Sequence, residues 1–233
     1  MRLRPSGTQG PIATSLAAFR RYHDELAWTW EQMSLTRARA VAGDESLSRM
    51  VMIAVRDVLT RPRDSDRLVA DVAEMRARIA EQHRAPGPFE LKFRRGGMVD
   101  IEFIAQYLQL REAARRPDLL QPNTQAALLA LADDGALARP AADELAGTLE
   151  LWRDLQNILR LTVGEPFAEG DAAPALLTLI ALAARAGDFA ALRQDMEAKA
   201  ERAFAWYERI VAAPAAAASA RLAATLPEKE KAP

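Results

Sequence analysis

Residues 91–110 read LKFRRGGMVDIEFIAQYLQL, a charged turn followed by a long apolar segment. Lys92, Arg94 and Arg95 precede two adjacent glycines, and the segment after the glycines is apolar at most positions. Glycine pairs mark turns, whereas a helix that is apolar on nearly all sides is buried in a core. The stretch therefore predicts a buried helix that begins directly after the glycines.

Apolar residues recur at helical spacing on both sides of this stretch, almost to the end of the chain. His23 falls on the apolar stripe of the first helical segment, a position typical of a packed or edge histidine. Residues that favour a helix start precede or open the segments: Ser15, Ser46, Asp64, Asn123, Pro140 and Asp188. The pattern predicts a mainly α protein built as a helical bundle.

The segment APGPF, residues 85–89, is a rigid turn and the best candidate for a domain boundary. We expect a first unit over residues 1–88, which includes two short stretches without helical periodicity, and a helical bundle over residues 89–212. The alanine-rich residues 213–233 have few large apolar groups that could dock, so we expect them to form a flexible tail.

The composition narrows the class of protein. The 233 residues are 50% hydrophobic, and 31 basic and 32 acidic residues nearly cancel, which argues against a nucleic-acid coat or a membrane-surface protein. The absence of cysteine excludes disulfides, thiolate nucleophiles and cysteine-ligated metals. The longest apolar run, residues 172–184, is too short to span a bilayer, and the N-terminal residues lack signal-peptide character. We therefore expect a cytoplasmic protein with no nucleic-acid or membrane partner.

Two short segments, RLR and LTRARAV, carry arginines two positions apart. On a β-strand, Arg2 and Arg4 would point to one face, and Arg37 and Arg39 would do the same. Paired guanidinium groups can hold an anion such as a triphosphate. The alternative is the solvated edge of a small sheet, and the pattern leaves both interpretations open.

The two glycines of the opening stretch indicate a second kind of anion site. Backbone N–H groups around Gly96 and Gly97 would lie at the positive end of a helix dipole, where they can receive an anion. Lys92 and the two arginines beside it would raise the local positive potential. The alternative is that Asp100 and Glu102 complement the dipole of an ordinary helix.

Helical geometry separates these two carboxylates. Glu102, Gln106 and Gln109 form one polar stripe on an otherwise apolar helix, so the stripe should face a polar cleft or another polar helix. Asp100 would point about 200° away from Glu102 if both were helical. The two could bind one metal ion only if Asp100 lay in a non-helical lead-in to the helix.

A family resemblance rests on three segments, LRPSGTQGPIATSLAAFRRYHDELAWTWEQMSLTRARAVAGD, LKFRRGGMVDIEFIAQYLQL and AGDFAALRQDMEAKAERAFAWYERIV. From Met1 to about Val211 the chain resembles the bacterial bifunctional glutamine synthetase adenylyltransferase/adenylyl-removing enzymes. Members of that family carry two halves, each a nucleotidyltransferase domain followed by helices. AWTWE and VDIEF look more like the C-terminal half, which transfers AMP from ATP to a tyrosine of glutamine synthetase. The other half removes AMP by phosphorolysis.

The resemblance implies a small remnant of a nucleotidyltransferase α/β domain ahead of the helical bundle. The family's catalytic core is a Gly-Ser motif followed by a metal-binding Asp-x-Asp pair, and this combination does not occur in the 233 residues. The DSD at residues 64–66 lacks the glycine-serine turn. We expect Mg²⁺ and ATP in the full-length enzyme, and we expect this chain, a fragment or truncated reading frame, to be inactive alone.

The resemblance also implies roles for individual residues. The candidate nucleotide or phosphate contacts are Arg2, Arg4, Ser6, Gly7, Arg37, Arg39, Lys92, Gly96 and Gly97, and the candidate metal ligands are Asp100 and Glu102. The helices after Arg111 would bind glutamine synthetase and the PII signalling protein. One alternative is a non-catalytic helical module that binds either protein. Another is the uridylylating enzyme that modifies PII, against which RLRPSG, AWTWE and VDIEF argue.

Overall fold

The computed structural model describes residues 13–83, 87–163 and 167–225. Within these ranges the chain forms helices and no β-strand, which confirms the prediction of a mainly α protein. The α-helices are α1 Leu16–Glu25, α2 Thr29–Leu35, α3 Glu45–Leu59, α4 Ser65–Gln82, α5 Met98–Glu112, α6 Thr124–Asp133, α7 Arg139–Thr162, α8 Pro174–Ala183, α9 Phe189–Tyr207 and α10 Ala213–Thr225. Short 3₁₀ turns lie at Pro117–Leu119 and Glu169–Asp171, and a π-helical segment, Glu208–Ala212, joins α9 to α10.

Side-chain caps explain where several helices begin. Four predicted starts have a side-chain oxygen that accepts the N–H group three residues on: Ser15, Asp64, Asn123 and Asp188. Helix α3 begins at Glu45, just before the predicted Ser46, because the carboxylate of Asp44 accepts the N–H of Leu47 at 2.9 Å.

Helix α5 lies at the centre of the fold. Its side chains are buried from Val99 to Leu110 except for Glu102, as its apolar sequence predicts. It packs against α2, α4, α6, α7 and α9. One apolar core runs from Met33 in α2 to Ala218 in α10 and is continuous across residue 88. The division into two units at that residue stays a prediction.

The predicted strand that would carry Arg37 and Arg39 is wrong. Helix α2 extends to Leu35, and residues 36–38 continue with turn hydrogen bonds, such as that from the N–H of Ala38 to the carbonyl of Leu35 at 2.9 Å. These local bonds satisfy the backbone without a neighbouring strand. The period-2 alternation of the arginines therefore does not put them on one face of a sheet.

The outer face of α3 is more exposed than its apolar sequence predicts. Ala54 and Val58 are buried as expected, but Leu47 and Met50 are nearly half exposed, and Ile53 is 55% exposed. Helix α3 thus contacts the core chiefly through its second half, and the large apolar side chains of its first half face solvent.

The alanine-rich segment differs from the flexible tail that we expect from its sequence. Residues Ala213–Thr225 form α10, which packs along α4 and buries Ala215 and Ala218. Methyl side chains let two helices approach closely, and α4 contributes alanines to the same region. A bidentate ion pair between Arg221 and Asp66 also joins the two helices. Residues 226–233 lie outside the described part of the chain.

Candidate functional site

The backbone of residues 91–99 forms a closed turn ahead of α5. The N–H of Met98 donates to the carbonyl of Leu91 at 2.9 Å, and the N–H of Val99 donates to that of Lys92 at 3.1 Å. The N–H of Gly97 donates to the carbonyl of Arg94 at 3.0 Å. These amides are therefore occupied by the turn itself, and they are not free to receive the anion that the glycine pair indicates.

Gly96 is required by a close contact with α9. Its φ of 69° lies in the left-handed region, and an ideally placed Cβ would lie 2.5 Å from the carbonyl carbon of Ala200 and closer still to its oxygen. The carbonyl of Gly96 accepts the Nε1–H of buried Trp152 at 3.0 Å. At Gly97 a Cβ would lie 2.8 Å from the carbonyl oxygen of Leu91. Both glycines thus serve packing and turn geometry.

Asp100 forms a buried clamp behind this turn. Its carboxylate is fully buried, forms an ion pair with Arg76 of α4 and accepts the N–H of Gly96 at 2.6 Å. Arg76 also donates to the carbonyls of Phe93 and Arg94, at 3.2 and 3.4 Å. Burial raises the pKa of Asp100, while the Arg76 guanidinium and the Gly96 N–H oppose that rise. The clamp joins α4, the turn and α5.

The clamp also acts on Tyr207 at the end of α9. The ring is buried, and its pKa is raised by burial and by the negative charge of Asp100. The phenol therefore stays protonated at neutral pH. Tyr207 and Trp152 place aromatic side chains of α9 and α7 close to the same turn.

The fold brings together two of the predicted site residues, Glu102 and Arg37. The Nη1 of Arg37 donates to Oε1 of Glu102 at 2.8 Å, across 65 positions of sequence. The Glu102 side chain is 17% exposed, and that of Arg37 is 48% exposed. Arg39, two residues after Arg37, is exposed, and its side chain forms no ion pair within the described ranges. The Arg37–Glu102 pair thus joins two predicted site residues at the protein surface.

Asp100 and Glu102 do not meet. Both lie within α5, so the non-helical lead-in needed for a shared metal ion is absent, and each carboxylate has its own arginine. Among the residues described, no group of three or more His, Cys, Asp or Glu side chains is arranged to hold a metal ion. Asp100 and Glu102 are therefore not positioned to share one metal ion.

The polar stripe of α5 has polar partners. Glu102 meets Arg37 just beyond α2, and the Oε1 of Gln109 accepts the N–H of Gln121 at 2.7 Å. Gln106 between them is buried. Partners thus come from a turn and a loop, where the sequence pattern predicts a cleft or a second polar helix.

Other predicted residues do not join this pair. Lys92 is exposed, and its Nζ lies 4.8 Å from the centroid of the Phe93 ring. Arg2, Arg4, Ser6 and Gly7 lie outside the described residues. Their predicted roles stay predictions.

Curated relatives that share one name match most of the chain. A bifunctional glutamine synthetase adenylyltransferase/adenylyl-removing enzyme of Rhodopseudomonas palustris (strain HaA2) is 43% identical over 211 residues, which cover 91% of this chain and 21% of the relative. Proteins of the same name from Bradyrhizobium diazoefficiens and Xanthobacter autotrophicus are 42% and 39% identical, over 88% and 91% of this chain and 21% of each relative. Over 88–91% of its length the chain is similar to these adenylyltransferases.

Two family models match separate parts of the chain. The model described as glutamate-ammonia ligase adenylyltransferase matches residues 1–52, and the model described as GlnD PII-uridylyltransferase matches residues 69–172. The chain spans about a fifth of the length of the curated relatives it matches.

Three residues at or beside the clamp were missed by sequence reasoning about the site: Arg76, Trp152 and Tyr207. Arg76 lies on the same face of α4 as Val72 and Ile79. A cation within an apolar stripe is the sequence signal that could have indicated a buried ion pair. Trp152 and Tyr207 sit on apolar stripes of other helices and carry no local signal of their contact with the turn.

Proposed function

We propose that this chain is part of an enzyme that transfers AMP from ATP to a tyrosine of glutamine synthetase, in its C-terminal, AMP-transferring half. The observation that carries the proposal is the Arg37–Glu102 pair, which joins two segments of the family resemblance at an accessible surface. The resemblance to full-length relatives that carry this activity in their name supports it.

The proposed role of Glu102 is to orient Arg37. A guanidinium that is held on one side by a carboxylate presents its remaining N–H groups in a fixed direction, and these groups suit phosphate oxygens. The clamp of Asp100 and Arg76 fixes the start of α5, the helix that carries Glu102. Arg39 and Lys92 add positive charge as proposed phosphate contacts.

We propose that metal chemistry in the full-length enzyme depends on residues other than Asp100 and Glu102. The Asp100 carboxylate is bonded to Arg76 and to the N–H of Gly96, and Glu102 pairs with Arg37. We therefore assign no catalytic step to Mg²⁺ at these two residues. We propose that Mg²⁺ and ATP bind in the full-length enzyme and that this chain alone transfers no AMP. Within the described ranges, none of the helices combines the length and the apolar character that crossing a bilayer requires. A cytoplasmic location stays part of the proposal.

A chimera tests the proposal. The matching segment of the Rhodopseudomonas palustris enzyme is replaced by residues 1–211 of this chain, and AMP transfer from labelled ATP to glutamine synthetase is measured. We expect the chimera to transfer AMP and the same relative without the segment to be inactive. Glu102→Gln in the chimera should lower kcat/KM by about tenfold, because the amide orients Arg37 less strongly.

The control for Glu102→Gln is Glu112→Gln, which changes an α5 carboxylate paired with its neighbour Arg111. Unchanged turnover in both variants would remove Glu102 from the site. A chimera that folds but transfers no AMP would remove the assignment to the transferring half, and phosphorolytic removal of AMP is measured in parallel.

A second candidate function is a non-catalytic module that binds glutamine synthetase or the PII protein. Large apolar side chains that are exposed in the first part of the chain support it: Leu26, Trp28, Val41, Leu47, Met50 and Ile53. Purified glutamine synthetase and purified PII are each titrated into the chain. Binding that Ile53→Gln weakens, without AMP transfer, supports the module; equal binding by both forms contradicts a role for these side chains.

A further inference from the structure

A cleft opens between α4, α10 and the turn that precedes α5, and of its lining residues the proposed function uses only Arg76. It encloses about 680 Å³, enough for a small organic molecule. We call it the α4–α10 cleft. Its lining comes from α4, from the end of α9 with the π-helical segment, from α10 and from residues 93–95.

The walls of the α4–α10 cleft are mostly apolar. Helix α4 contributes Ala73 and Ala77, and α10 contributes Ala215 and Ala216. The rings of Phe93 and Phe204 lie at the lining as well. Methyl groups and ring faces make flat surfaces without hydrogen-bonding groups, and such surfaces suit an aromatic body better than a polar one.

The cleft is lined by more cationic than anionic side chains. Arg76, Arg94 and Arg95 line it, against the single lining carboxylate Glu74. Glu74 forms an ion pair with Arg78 of its own helix. The lining therefore attracts an anion.

The arginines differ in how free they are. Arg76 is held by Asp100, and Arg94 is 12% exposed and donates to Glu197 at 2.7 Å. Arg95 is 75% exposed, and its nearest carboxylate, that of Glu208, lies 3.9 Å away. Its guanidinium lies 3.9 Å from the centroid of the Phe204 ring, which holds the charge at the rim of the apolar walls.

We propose that the α4–α10 cleft binds a small planar aromatic anion, with the ring between the alanine walls of α4 and α10 and the anionic group beside Arg95. The ligand class follows from apolar walls and one available cation in the same cavity. Because the ligand would contact both α4 and α10, it would also stabilise the packing of α10 against α4.

The probe that tests this is 1-naphthalenesulfonate, titrated into the 233-residue chain by isothermal calorimetry. We expect saturable binding of one molecule per chain. Two further probes separate the parts of the proposal: 1-naphthol keeps the ring without the charge, and octanesulfonate keeps the charge without the ring. Both should bind at least about fivefold more weakly.

Matched variants locate the site. Ala216→Leu places a large side chain in the cleft and should lower the affinity for 1-naphthalenesulfonate at least about tenfold. Ala217→Leu is the control, because residue 217 is also exposed on α10 but does not line the cleft. Both variants are compared with the parent chain by circular dichroism, so that a folding defect is recognised.

A charge variant tests the anion contact. Arg95→Gln should weaken 1-naphthalenesulfonate about tenfold and leave 1-naphthol unchanged, whereas Arg202→Gln on exposed α9 surface should change neither. Equal affinity of parent, Ala216→Leu and Ala217→Leu overturns the site. So do the absence of saturable binding and a loss of binding caused by Ile53→Gln on α3.

Discussion

Among the glycines that the structure describes, Gly96→Ala should be the most destabilising substitution. A left-handed φ of 69° costs a non-glycine residue about 1–2 kcal/mol. The new Cβ would overlap the backbone of Ala200, so the turn must move away from α9. That movement weakens two buried hydrogen bonds, from the N–H of Gly96 to Asp100 and from Trp152 to the Gly96 carbonyl, at about 1–2 kcal/mol each. The total loss is about 3–6 kcal/mol.

Two other glycines separate these contributions. Gly135 has a φ of 83° with no atom within 4 Å of an added Cβ, so Gly135→Ala should lose only the backbone term of about 1–2 kcal/mol. Gly147 lies inside α7 with equally open space, so Gly147→Ala should gain about 0.5–1 kcal/mol from helix propensity. Urea unfolding, followed by far-ultraviolet circular dichroism, measures all three.

The order of the three variants is the decisive result. If Gly96→Ala unfolds at the same urea concentration as Gly135→Ala, the turn does not need its close approach to α9. The assignment of Gly96 to packing would then fail, and an anion-binding role for its backbone would regain support.

Three further perturbations follow from the structure. Arg76→Met leaves the Asp100 carboxylate buried without its cation and should lower the free energy of unfolding by about 3–5 kcal/mol, whereas adding Asp100→Leu should recover part of the loss in the same urea assay. Burial lowers the pKa of His23, so the unfolded chain binds more protons; stability should be complete above about pH 6.5 and fall as the pH drops through the folded pKa. Thermal midpoints across this range should lose that dependence in His23→Gln and keep it in His83→Gln, which changes the other histidine. Ala218→Glu places a carboxylate at a fully buried position of α10 and should speed amide hydrogen exchange over residues 213–225, while the exposed Ala217→Glu leaves it slow.

Local sequence signals predicted the elements that depend on near neighbours. Ser15, Asp64, Asn123 and Asp188 cap helices because the bond reaches only three residues along the chain. The burial of α5 followed from its own apolar composition. Both partners of such a short-range interaction lie in the same segment, so the local sequence is enough to predict it.

The predictions that failed share a different cause: the partner that decides the structure lies far away along the chain. The glycine pair indicated an anion site, yet the partner that requires glycine is Ala200, more than a hundred residues away. The alanine-rich end has few large apolar groups, but it docks because α4 offers small side chains opposite it. In each case the deciding partner lies in another helix, which a local pattern does not reveal.

The opening motif divides into residues that hold the turn and a residue that faces outward. Gly96, Gly97 and Asp100 have their hydrogen-bonding groups or their space filled by the protein itself. Glu102 has an exposed arginine as its partner. Substitutions in the first group should therefore act on stability, and activity in the chimera should fall only as far as folding does. Glu102→Gln should act on AMP transfer at unchanged stability, because its ion pair with half-exposed Arg37 is worth little to folding. A loss of stability in Glu102→Gln equal to that in Arg76→Met would erase this division and place the whole motif in the scaffold.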